Sequence, residues 1–209
     1  MGRPGALHPA SLGASIALAA LVLGSVAGCA STAPADPEAI AERVAATDIS
    51  ADLVYTTTVD GYDLAPQSVG ETPSGGMSAS WVNTATGGIL TIRTEHGEIT
   101  AASCPDIPLW DGGNEPVACT DEGGRWHRTS GSTHEYIVAR DDTLILVTGM
   151  NNADPGDLLA AAQAVHVPSA AELELLFSDL PDGPAEPVQR GDIPENGDGA
   201  PIDPTGPGG

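Results

Sequence analysis

Between Met77 and Thr148 the chain alternates short β-prone runs with tight polar turns, and this rhythm limits the fold more than any other feature. Ala79-Ser80-Trp81-Val82-Asn83 is followed by Thr86-Gly87-Gly88 and then by Ile89-Leu90-Thr91-Ile92-Arg93-Thr94. Glu95 to Glu98 turns into Ile99-Thr100-Ala101-Ala102, and Gly123-Gly124 leads into Arg125-Trp126-His127-Arg128-Thr129. Ser130-Gly131-Ser132 then precedes His134–Ala139, and Asp141-Asp142 precedes Thr143–Thr148. Connections this short cannot carry a crossover between parallel strands, so they dictate antiparallel neighbours. The reading is an α+β fold, an antiparallel β-meander of about six strands with helices packed on one face. Tyr55–Val59, β-prone and followed by an Asp60-Gly61 turn, is expected to be a further strand; Gly70–Gly76 reads as loop.

The helices announce themselves by their caps. Asp36 precedes Pro37 and Glu38, with Ile40 and Val44 forming a thin apolar stripe that ends near Ala46. Asp154-Pro155-Gly156-Asp157 repeats that grammar ahead of Leu158, Leu159, Ala162 and Val165, and Pro168 ends the run. Ser169 with Glu172 is a capping-box pair before Leu173, Leu176, Phe177 and Leu180.

The N-terminus belongs to a different category. Arg3 precedes an apolar run, Ile16–Leu23, that is too short for a bilayer-spanning helix of about 20 residues. It has the length of a secretory core. Val26-Ala27-Gly28-Cys29 then looks like a bacterial lipobox, in which small residues let the peptidase approach and the cysteine thiol takes the acyl chains. The expected organisation is a lipoprotein signal peptide at 1–28, a lipidated tether at 29–36, one extracytoplasmic domain at 37–180, and an acidic Pro/Gly-rich tail at 181–209. The tail offers only Val188, Ile193 and Ile202 as bulky apolar residues, too few to offset the entropy of ordering, so it reads as disordered. Membrane lipid, reached through acylated Cys29, is the expected partner, on the extracytoplasmic face of the cell membrane. Two or more acyl chains give stable anchoring, at about 0.8 kcal/mol per buried methylene.

Once Cys29 is assigned to lipid, Cys104 and Cys119 are left. Outside the cytoplasm their default is a disulfide across a segment rich in proline and glycine, contributing about 3 kcal/mol in the chain-entropy model. A two-thiolate metal site would need a second close ligand pair, which the sequence lacks.

Charge excludes some partners. The net charge is −22, and all 7 basic residues are arginine. A body this acidic is repelled by phosphate backbones and by anionic head groups, so no nucleic acid is expected. The abundance of Ala, Gly, Asp and Thr and the absence of lysine suit a high-GC actinobacterium.

Candidate chemistry is sparse. Arg125-Trp126-His127-Arg128 is the only basic cluster, and Arg125, Trp126 and Arg128 are the candidate ligand-binding residues, able to receive an anionic group by cation–π and charge-assisted bonds. Strand alternation puts Trp126 and Arg128 on one face and Arg125 and His127 on the other; the competing reading is that the Trp packs and the arginines pair with acids. His96 lies beside Glu95 and near Glu98, a possible base or ligand but equally a solvated hairpin tip. His134-Glu135, Asp141-Asp142, Asp60, Asp63, Asp106 and Asp111 form no calcium loop and no zinc-helix motif, so no metal or other cofactor is expected. Ser68 lacks the preceding glycine of a nucleophile elbow. Neither Ser74-Gly75-Gly76 nor Gly112-Gly113 is followed by the Lys-Ser/Thr of a phosphate loop. The chain therefore reads as a non-enzymatic binder of an envelope protein or ligand. The alternatives are an envelope hydrolase using Glu98, His127 or Glu135, and a structural spacer at the cell wall.

Asp60–Gly70, the two-cysteine segment, Trp126 with Arg128, and His134-Glu135-Tyr136 together resemble a group of small, uncharacterised actinobacterial membrane lipoproteins, across roughly residues 55–165. The resemblance implies anchoring and one disulfide-bearing domain, and brings no catalytic or binding residues with it. The acidic tail lies outside that pattern.

Overall fold

The computed structural model describes Gly2 and residues 33–110 and 115–180. The leader, Cys29, Asp111, Gly112, Gly113 and the 181–209 tail lie outside the described residues. Seven strands form one antiparallel sheet: β1 (Asp63–Glu71), β2 (Met77–Val82), β3 (Ile89–His96), β4 (Ala118–Asp121), β5 (Arg125–Ser130), β6 (Thr133–Arg140) and β7 (Thr143–Met150). Their spatial order is β1-β2-β3-β7-β6-β5-β4. Two meanders, β1–β3 and β4–β7, thus join through β3 and β7. The join is a full register from Ile89 opposite Met150 to His96 opposite Thr143.

Three helices, α1 (Pro37–Val44), α2 (Pro155–Ala164) and α3 (Ala170–Leu176), cover one face of the sheet. Each starts as its sequence dictates. The carboxylates of Asp36 and Asp154 accept the Glu38 and Gly156 amides, and Ser169 and Glu172 complete a reciprocal capping box. Alternate strand residues Met77, Ala79, Trp81, Leu90, Ile92, Ile145 and Val147 point at Ile40, Leu158, Ala161, Leu173 and Leu176, forming the main core. Gly76 is required where the backbone passes the Thr94 carbonyl, because a Cβ there would sit 1.7 Å from the oxygen.

The fold class is as expected; several elements differ in detail. Tyr55–Val59 is not a sheet strand. Leu53 to Thr57 are consecutively buried, and Thr56 exchanges both backbone bonds with His166 at an isolated bridge. The backbone bonds of Thr56 thus go to the connection between α2 and α3 instead of to a neighbouring strand. β1 was not anticipated, and it takes in Gly70 and Glu71, expected as loop. Pro66 and a register break between Ala65 and Gly70 disguise it, and both are tolerated because β1 is an edge. Ile99–Ala102 does not form a strand. Thr100 and Ser103 bond each other's amides through their side chains and turn the chain into the 3-10 turn Cys104–Asp106. The four-residue β4 was not anticipated. Ala35, expected in the tether, is buried and donates its amide to the Pro168 carbonyl.

Cys104 and Cys119 form a disulfide, with Cα atoms 6.3 Å apart. It ties the β3–β4 connection across the sheet face opposite the helices. Ile99 and Ile107 pack there against Trp126, Ile137, Leu144 and Leu146. Among the described residues, no helix is long and apolar enough to cross a membrane.

Candidate functional site

The register of the strands aligns one residue from each strand in a row across the loop-side face. Cys119 lies opposite Arg128, Arg128 opposite Glu135, Glu135 opposite Thr148, Thr148 opposite Thr91, Thr91 opposite Ser80, and Ser80 opposite Ala65. Five consecutive members are polar, where strand alternation alone would allow an apolar layer.

Half of the row is sealed. Arg128 and Glu135 are both 0 % exposed and share an ion pair at 2.8 Å. The Thr148 hydroxyl donates to the second carboxylate oxygen at 2.8 Å, and Arg93 reaches the same oxygen at 3.3 Å. Arg128 also donates to the Ile107 carbonyl, so the disulfide-bearing loop closes over the pair by bonding to it. Burial pushes the Glu135 carboxyl above its usual range; Arg128, the Thr148 hydroxyl and Arg93 pull it back. Burial also lowers the Arg128 pKa, with Glu135 opposing that shift and Arg93 adding to it. A buried carboxylate with two guanidinium partners is costly to assemble and more costly to leave incomplete.

The other half is open. Ser80 and Thr91 join hydroxyls at 2.9 Å, and Ser78, Ser80 and Arg93 are half-buried on the side of the sheet without helices. Trp110, at the margin of the loop, lies with its ring 4.6 Å from the Arg93 guanidinium and is 50 % exposed. Since Arg93 projects from β3, the join between the two meanders, Trp110 marks the boundary between sealed and open halves.

The residues singled out from the sequence divide between the two faces. Trp126 and Arg128 share the loop side, with Trp126 packed on Ile137 and Leu146. Arg125 and His127 are on the helix side, beyond the main core. There His127 stacks on Tyr136 at 4.6 Å, meets His134 Nδ1 at 3.2 Å, and faces Glu122 at 3.5 Å. His134 and Glu135, adjacent in sequence, point to opposite faces. Glu135 and His127 are therefore separated by the sheet itself, and Glu98 sits on the loop after β3. His96 engages neither Glu95 nor Glu98; its ring nitrogens lie 3.6 Å from Asp52 and 3.5 Å from Asp142. The Ser68 hydroxyl staples the β1 bulge, donating to Ala65 and accepting the Ser80 amide. Among the described residues, no three His, Cys, Asp or Glu side chains gather as metal ligands.

Sequence reasoning missed Arg93, Thr148, Thr91, Ser80 and Trp110. Each looks ordinary in its own strand or loop, and only the cross-strand register unites them. The available signal was a run of polar residues at alternate positions in otherwise apolar strands.

A concavity of about 190 Å³ lies between α3 and the β1 edge, lined by Thr57, Tyr62, Leu64, Trp81, Glu172 and Leu175. Glu172 is engaged there already, bonding His166 at 2.9 Å and the Ser169 amide and hydroxyl at 2.8 and 2.7 Å. Comparison with family models, with curated proteins and with solved structures finds no match to this chain.

Proposed function

We propose that this chain is a lipid-anchored, extracytoplasmic envelope protein that binds a ligand or partner without transforming it, and that its binding surface is the loop-side face of the sheet. The observation that carries the binding reading is the polar row, which runs from the sealed Arg128–Glu135 pair through buried Thr148 and Thr91 out to the half-buried hydroxyl of Ser80. A polar layer inside a sheet costs stability unless every member is satisfied. Here Arg128, Thr148 and Arg93 all bond the Glu135 carboxylate and so fix the strands beneath the outer members, leaving the Nε atoms of the two arginines without a partner. Arg93 links the two halves, bonding Glu135 on one side and holding Trp110 on the other. That is the anatomy of a preorganised recognition surface, rigid beneath and exposed above.

The anchoring reading rests on Val26-Ala27-Gly28-Cys29 and the apolar run before it, and the resemblance to actinobacterial lipoproteins is part of the same proposal. A hydrolase reading loses its support from Glu98, His127 and Glu135, because the last two project from opposite faces of one sheet.

Two measurements test the proposal. Labelled palmitate should enter the wild-type chain and not Cys29→Ala; absence of label from both overturns the anchor. A photoreactive residue at position 110 should crosslink in intact envelopes to material that the same residue at Glu38, on the far side of the sheet, does not capture. Equal capture at both positions, or none at 110, overturns the binding face.

A further inference from the structure

Resting on that binding face, we infer that its open half binds a neutral saccharide, with Trp110 as the stacking platform and Ser78, Ser80 and Arg93 as hydrogen-bonding groups.

Trp110 carries the argument furthest. Trp81 and Trp126 are packed into the two cores, whereas Trp110 and Leu175 are the exposed large apolar residues among those described. An exposed indole that merely terminated a loop would be free to rotate. This one has a guanidinium at 4.6 Å on one side, and that guanidinium is itself fixed by Glu135. The remaining surface of the ring is therefore presented in a defined orientation. The electron-rich face of an indole attracts partial positive charge, and the C–H face of a pyranose offers such a surface without a full charge.

The groups beside it have the matching polarity. Ser78 is directly opposite Arg93, and Ser80 is two residues further along β2 on the same face. Two such positions on one strand are about 7 Å apart, and neighbouring strands are about 4.8 Å apart. That grid has the scale of one to two sugar rings. Each hydroxyl both donates and accepts, as a sugar hydroxyl does.

Charge selects the neutral class. The chain carries −22 overall, so a polyanionic glycan is repelled at long range. Locally, the two arginines of the face are opposed by Glu135 and by Glu95, which acts electrostatically on Arg128. A balanced patch on an acidic protein gains nothing from an ionic ligand and suits a polyol.

The test uses the full chain in detergent and follows tryptophan fluorescence. The probes are neutral tetrasaccharides of glucose (α-1,4 and β-1,4) and of N-acetylglucosamine (β-1,4), with polygalacturonate as the anionic control. At least one neutral probe should saturate the signal. Trp110→Ala should weaken that binding by about tenfold or more, and Ser78→Ala by several-fold, with the thermal midpoint unchanged. Binding of the anionic control in preference to the neutral probes overturns the charge argument and the inference with it. Neutral binding that survives Trp110→Ala also overturns it. If no neutral probe binds at about 10 mM, the saccharide inference fails. Position-specific crosslinking at 110 to a protein would then leave the binding face standing with a different occupant.

Discussion

The two faces of this sheet are covered in opposite ways. On one, three capped helices lay aliphatic and aromatic side chains on Ile92, Ile145 and Val147, and shape complementarity among apolar groups suffices. On the other, a single disulfide-tied loop covers a buried ion pair and three apolar strand residues, Ile137, Leu144 and Leu146. The helix side tolerates small errors of packing at a graded cost. The loop side is nearer all-or-none, since removing one partner of its buried ion pair leaves the other charge uncompensated. One sheet therefore combines a robust foundation with a surface that is exacting and local.

The largest expected effect comes from breaking the polar side unevenly. Arg128→Met leaves Glu135 buried and should cost about 3–5 kcal/mol in urea unfolding. The double variant Arg128→Met/Glu135→Leu should recover most of that loss; equal destabilisation in single and double would show that the pair does not act as a unit. On the apolar side, Ile92→Ala should cost about 2–5 kcal/mol. That cost should be the same with and without the disulfide, because the two covers are independent. Replacing the disulfide, Cys104→Ser/Cys119→Ser, should cost about 3 kcal/mol. It should also red-shift Trp126 emission while leaving helical circular dichroism intact. Loss of helical signal would mean that the faces are coupled.

The smallest effects belong to the α3 cap. Ser169→Ala should cost about 1 kcal/mol. Burial raises the Glu172 carboxyl, but the Ser169 amide and hydroxyl together with His166 more than reverse this, and it ends below the usual carboxylate range. A carboxyl depressed in the folded state stabilises the fold above its unfolded pKa of about 4.3 and loses that contribution as pH falls through the lower folded value. Glu172→Gln should accordingly flatten the acid limb of the stability profile. An unchanged limb would assign acid sensitivity to other carboxylates.

Much of the helix side was legible in the sequence because its signals are local. Asp-Pro caps, the Ser169/Glu172 pair and two-residue turns such as Asp141-Asp142 operate within a few residues, and the structure has each of them. The disulfide followed from compartment and elimination. The loop side was not legible, because its chemistry is a matter of register. Arg93 meets Glu135 across 42 residues, through the β3–β7 and β6–β7 pairings together. Nothing in either segment alone indicates the other. β1 was obscured for a related reason: Pro66 and Gly70 are poor strand residues anywhere except on an edge, and edge status is a property of the finished sheet.

That edge status has a consequence for neighbouring copies. Pro66 removes a backbone donor from the outer rim of β1, and the bulge beside it bends the rim away from straight pairing. At the opposite rim, β4 offers only four residues, one of them committed to the disulfide. Molecules crowded side by side would find no long, flat border on which to extend a common sheet, so the architecture guards against fibril-like stacking at high local density.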